Sequence, residues 1–162
     1  VTLNQTLGEY GLYLATAESL TAGLIASELA NNPGASKYLL GGIVCYQNEI
    51  KIKQLGVDPG LIDSRGPVDP AVALQMAYTV RSKFALDCDK PLEKVIGVST
   101  TGVAGPDSLG DKPVGLVYLG ISSSIGDRTV ELRLNGSRSE VRLATVAKTM
   151  EEIADEIHRL IG

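Results

Sequence analysis

The sequence is poor in aromatic residues: 162 residues hold no tryptophan, one phenylalanine and six tyrosines. A surface that stacks single-stranded nucleic acid needs more than this. An excess of positive charge is also lacking. Fifteen Lys and Arg stand against nineteen Asp and Glu, a formal net charge of −4, which disfavours bulk binding to nucleic acid or an anionic membrane. His158 is the single histidine, so a histidine-based triad or metal site has no second member. The two cysteines, Cys45 and Cys88, form no CxxC pair, and neither a zinc site nor a disulfide framework is indicated. No apolar run is long enough to span a bilayer, and no basic-then-apolar leader opens the sequence; the expectation is a cytoplasmic protein without a membrane partner.

What is present is an ordinary globular composition, 44% hydrophobic and 21% charged, with length for one domain over 1–162. The pattern predicts a short helix over Leu3 to Tyr10, then a strand over Tyr13 to Ala17 that ends at Glu18-Ser19. A helix over Ala22 to Ala30 follows, then a helical turn over Ala35 to Leu39 and a strand over Ile43 to Tyr46. Asn48 is placed to cap a short helix carrying Ile50, Lys51 and Leu55. Asp69-Pro70 opens a helix to about Phe84. Strands are expected over Val95 to Ser99, Val114 to Ile121 and Thr129 to Leu134, the last two as a hairpin. A final helix covers about Ser139 to Leu160, with Val141, Ala144, Ala147, Ile153 and Ile157 on its buried stripe. Strands alternating with helices imply an α/β fold: a sheet, mixed because of the hairpin, covered on both faces.

Three places carry residues suited to chemistry. Ser19 stands at a strand-to-helix junction, where it fits a helix cap. The same place fits a nucleophile, with backbone N–H groups at Leu20, Thr21 and Ala22 to hold an oxyanion. If Thr21 caps instead, Ser19 is left exposed at the sheet edge. Tyr46 and Lys51 follow the next apolar run at a spacing that lets both approach a strand–turn–helix junction. Lys51 fits surface charge, or a general base if burial keeps it neutral. Tyr46 fits an end-of-strand aromatic, or a group that orients the lysine or relays a proton. The run Thr101-Gly102-Val103-Ala104-Gly105-Pro106 is a tight loop at the carboxyl end of a strand, where ligands bind in such sheets. Arg128 and Arg138 flank the last strand and suit either phosphate binding or surface ion pairs. Glu18 has at most an organising role beside Ser19.

Four segments in order, ATAESLTAGLIA at 15–26, GGIVCYQNEIKIKQLGV at 41–57, TGVAGP at 101–106 and KPVGLVY at 112–118, resemble the CinA C-terminal domain family, over nearly the full chain. The resemblance implies a three-layer α/β/α sandwich with a mixed, mostly parallel five-stranded sheet. It also implies deamidation of nicotinamide mononucleotide to nicotinate mononucleotide and ammonia, without cofactor or metal, by a homodimer or larger homo-oligomer. Ser19, Tyr46 and Lys51 match the family's catalytic serine, tyrosine and lysine. Substrate contacts are expected from Thr21, Ala22, Gly23, Thr101, Gly102 and Gly105, and the family's late arginine maps to Arg138, with Arg128 competing. Leu20, Ala22, Gln47 and Asp69 depart from the family pattern, and the alternative reading is a catalytically weak or inactive nucleotide-binding or assembly domain of the same family.

Overall fold

A computed structural model describes residues 2–162. Its elements run α1 (Leu3–Tyr10), β1 (Tyr13–Glu18), α2 (Leu24–Ala30), β2 (Leu39–Val44), α3 (Asn48–Leu55), α4 (Pro59–Arg65), α5 (Pro70–Asp87), β3 (Val95–Gly102), β4 (Leu116–Ser123), β5 (Gly126–Arg133) and α6 (Arg138–Ile161). The five strands form one sheet in the order β2-β1-β3-β4-β5. β1 pairs in parallel with β2 and β3, while β3–β4 and β4–β5 are antiparallel. The mixed sheet between two helical layers therefore has the expected architecture.

Alternation along the strands decides which layer each side chain enters. Leu14, Ile96, Val98 and Ile121 pack against Leu7 of α1, Ile25 and Leu29 of α2, and Val146, Ile153 and Ile157 of α6. On the other face Ala15, Ala17 and Val95 meet Leu55 of α3, Ile62 of α4, and Val72, Met76 and Val80 of α5. The α5 contact is unusually close. A Cβ on Gly97 would stand 2.1 Å from the Ala77 carbonyl oxygen, and one on Gly120 would stand 2.2 Å from that of Ala73. Two glycines thus let the helix backbone rest on the sheet, and Ser99 Oγ donates to the Ala73 carbonyl at 2.6 Å.

Several boundaries differ from expectation. β2 covers Leu39–Val44 rather than Ile43 to Tyr46, because parallel pairing with β1 recruits the weak strand formers Gly41 and Gly42. The preceding helical turn shrinks to a 3₁₀ segment, Ala35–Lys37. α2 starts at Leu24, not Ala22, since Ala22 (φ 48°) and Gly23 (φ 97°) are left-handed. Asn48 is inside α3, and the cap position belongs to Gln47, whose side chain makes no capping bond. α4 was not expected at all, although Asp58-Pro59 opens it as Asp69-Pro70 opens α5. α5 extends to Asp87 and β3 to Gly102, while β4 and β5 are shifted to Leu116–Ser123 and Gly126–Arg133. On α6, Ala147 is exposed and its expected place in the core is taken by Thr145 and Thr149. Each threonine hydroxyl donates to the carbonyl four residues back at 2.7 Å, leaving its methyl group for the core.

Candidate active site

The carboxyl ends of β1 and β3, the start of β4 and the start of α6 converge on one end of the sheet. Ser19 follows directly on β1, and its amide donates to the Thr100 carbonyl at 3.0 Å, so the sheet fixes its backbone. The residue is 8% exposed, so it does not stand out at the sheet edge, and the side chains of Ser19 and Thr21, the two capping candidates, make no capping bond to α2. Glu18 does the capping. Its buried carboxylate accepts from the amides of Ile25 and Ala26 at 2.7 and 3.1 Å and from the Thr21 hydroxyl at 2.7 Å.

Lys51, in the first turn of α3, is 1% exposed, and its amine lies 3.0 Å from Ser19 Oγ, to which it donates. It also donates to the Tyr46 backbone carbonyl at 3.2 Å. Among the described residues it forms no ion pair with a carboxylate. Burial pushes its pKa below the ordinary lysine value, outweighing the opposing influence of neighbouring Cys45. Cys45 itself is pushed up to about 11 by burial, so at neutral pH it is a thiol and supplies no counter-charge. A neutral Lys51 can take a proton across the contact it already makes with Ser19.

A cavity of about 290 Å³ opens in front of this pair. Its lining includes Ser19, Leu20, Tyr46 and Lys51 together with Thr101, Gly102, Gly105 and Arg138. Tyr46 is half-exposed, and its hydroxyl accepts from the Arg138 guanidinium rather than reaching Ser19 or Lys51. Arg138 donates at the same time to the Gly105 carbonyl, so it bridges both walls of the mouth. Thr101 is buried, and its hydroxyl proton is committed to the Pro67 carbonyl at 2.7 Å. Its oxygen can still accept, but it cannot serve as an oxyanion donor in this arrangement.

Other expected site residues are placed elsewhere. Thr21, Ala22 and Gly23 do not line the cavity. Thr21 turns its hydroxyl to Glu18 and Thr100, and the Ala22 amide is taken by the Ser19 carbonyl at 3.1 Å. Arg128 belongs to the other end of the sheet, opposite Ile121 on β4, where it pairs with Glu152 at 2.7 Å and Glu156 at 2.9 Å. Three carboxylates of α6, with Asp155 the third, hold it there, so of the two competing arginines only Arg138 reaches the cleft. Asp69 also stays out of the cavity, capping α5 through the Ala71 amide at 2.8 Å. Sequence reasoning missed Arg142, which donates to the Leu20 carbonyl at 2.8 Å and stands behind the Ser19 turn. The spacing that pairs it with Arg138 emerges only in the structure, where α6 begins at Arg138 rather than Ser139.

A profile of the CinA C-terminal domain matches residues 1–157. The chain belongs to the CinA C-terminal domain family. A protein of Acetivibrio thermocellus named for competence-damage inducibility is 41% identical over 150 residues, covering 92% of this chain and 34% of that protein. A CinA-like protein of Dictyoglomus thermophilum is 40% identical over 146 residues, with 90% and 34% covered. The chain thus spans about a third of the length of the curated relatives it matches. Among solved structures, competence/damage inducible protein CihA from Agrobacterium tumefaciens superposes with a TM-score of 0.85 at 34% identity, over 94% of this chain and 90% of that one. CinA membership accounts for the four sequence segments and the mixed-sheet sandwich together.

Proposed function

We propose that this CinA domain is an amidohydrolase that deamidates nicotinamide mononucleotide through Ser19 and Lys51. The observation that carries the reading is the 3.0 Å contact between a nearly solvent-free, carboxylate-free lysine and the serine at the end of β1. Neutral Lys51 accepts the Ser19 proton as Oγ bonds to the carboxamide carbon and the carbonyl π electrons move to oxygen. Collapse of that intermediate expels ammonia, which takes its proton from the Lys51 ammonium. Water, deprotonated by Lys51, then adds to the ester carbon, and as the C–Oγ bond breaks the Lys51 ammonium returns the proton to Oγ, giving nicotinate mononucleotide and free Ser19. No step calls for a metal, because the amine supplies the base.

Tyr46 acts in this scheme through two different atoms. Its carbonyl holds the Lys51 amine, and its hydroxyl joins Arg138 at the cavity mouth, where a guanidinium suits a nucleotide phosphate. Purified protein incubated with nicotinamide mononucleotide and a chelator is expected to release ammonia and nicotinate mononucleotide in equal amounts. Ser19→Ala and Lys51→Ala are each expected to abolish release. Folded wild-type protein that releases none sinks the assignment and leaves nucleotide binding or assembly as the domain's role.

A further inference from the structure

We infer that the backbone N–H of Gly102, at the end of β3, is the donor that holds the oxyanion formed at Ser19. The inference rests on the Ser19 reading above. The direction of this N–H follows from the hydrogen-bond ladder. Along a strand, successive residues turn their N–H and C=O groups alternately toward the two neighbouring strands. The Thr100 carbonyl accepts from the Ser19 amide at 3.0 Å, so Thr100 faces β1. The Val103 amide donates to the Leu116 carbonyl at 2.9 Å, so Val103 faces β4. Gly102 matches Thr100 and opposes Val103, and its N–H therefore faces the β1 side of the sheet.

No strand meets it there, because β1 and β3 pair only as far as Glu18 and Thr100. In a continuing parallel ladder the next bond would run from the Gly102 amide to the Ser19 carbonyl. That carbonyl has turned to accept from the Ala22 amide at 3.1 Å. The Glu18 carbonyl is taken on the β2 side by the Cys45 amide at 2.9 Å. Among the described residues, no acceptor is left on the β1 side for the Gly102 N–H.

What it faces instead is the cleft. Gly102 and Ser19 both line the cavity, and neighbouring strands run only about 4.8 Å apart. When Oγ bonds to the carboxamide carbon, the charged oxygen develops beside Ser19, in the space this amide faces. Nearby donors are already committed. The Thr101 hydroxyl serves the Pro67 carbonyl, and the Lys51 amine serves Ser19 Oγ and the Tyr46 carbonyl. Packing also holds the Gly102 peptide in place. A Cβ there would stand 2.6 Å from Val117 Cγ2 and 2.9 Å from the Leu116 carbonyl oxygen. β4 thus backs this peptide closely, which accounts for the glycine and keeps the donor preorganised.

Two measurements test this. Replacing Gly102 with glycolate turns the Thr101–Gly102 amide into an ester and removes this N–H alone. The N–H has no partner in the fold, so the variant is expected to fold. Its kcat for ammonia release from nicotinamide mononucleotide is expected to fall about 100-fold with KM little altered. A wild-type kcat in the ester variant overturns the inference. The second measurement needs no turnover. Pyridine-3-boronic acid accepts the Ser19 Oγ lone pair at boron, the serine proton passes to Lys51, and a boron-bound oxygen takes the oxyanion's place. In ¹⁵N-labelled wild-type protein the Gly102 amide proton is expected to move downfield and to exchange more slowly on adduct formation. The Val103 amide, already bonded to Leu116, is expected to stay where it was. An adduct that leaves the Gly102 amide unmoved overturns the inference alone. No adduct and no ammonia release from folded wild-type protein overturns the Ser19 reading and the inference with it. Where ammonia is released without an adduct, kcat of the ester variant decides.

Discussion

Lys51 is the residue on which the proposed hydrolysis turns, and its burial sets two pH dependences. Because its folded pKa lies below the usual value of about 10.4, the rate is expected to rise with pH through that depressed value and then level off. Stability follows the same titration. Between the depressed folded value and about 10.4 the native amine is neutral while the unfolded one is charged, so the unfolded chain binds more protons and stability rises with pH. Below the window the burial penalty is constant and complete. Urea midpoints across this range should therefore climb in wild type relative to Lys51→Met, which lacks the titrating group; parallel profiles would contradict the assignment. A second residue-scale prediction concerns Ala22, whose φ of 48° suits glycine. Ala22→Gly relieves that strain and is expected to stabilise the fold by about 1 kcal/mol, read as a raised melting temperature.

At the scale of elements, caps and close contacts were unequally legible. Asp69-Pro70 announced α5, and Asp69→Ala is expected to cost about 1 kcal/mol through the lost bond to the Ala71 amide, measurable by denaturant titration. The same signature at Asp58-Pro59 is not enough by itself, because the seven residues of α4 are too few to show a periodic stripe. β2 was misplaced for a different reason: Gly41 and Gly42 carry no strand signal of their own, and only the pairing with β1 makes them a strand. Ser19, Lys51 and the glycine loop were legible as types at junctions, but their 3.0 Å convergence depends on α3 packing beside β1. The Arg142 contact with the Leu20 carbonyl lay beyond reach, since it depends on where α6 returns. The α5–sheet contact gives a sharper test. Gly97→Ala would drive a methyl group into the Ala77 carbonyl and is expected to cost about 3 kcal/mol, seen as a large fall in the urea midpoint.

Across the whole molecule, charge is divided between the two ends of the sheet. Arg128, locked among three α6 carboxylates, ties β5 to the final helix, whereas Arg138 faces the cavity. Arg128→Ala is expected to lower the melting temperature with KM unchanged, because it leaves the buried Glu156 carboxylate with one fewer partner. Arg138→Ala is expected to raise KM for a phosphorylated substrate with little change in melting temperature. The opposite pairing of effects would return Arg128 to the substrate.

The distance along the chain between the parts of the cleft has a consequence in time. Arg138 joins Tyr46, and Arg142 joins Leu20, over 92 and 122 residues. Such long-range contacts close late in folding. During synthesis the Ser19 turn leaves the ribosome long before α6 exists to brace it. The nascent chain therefore carries the serine and the lysine but no finished cleft, which is completed only when α6 docks.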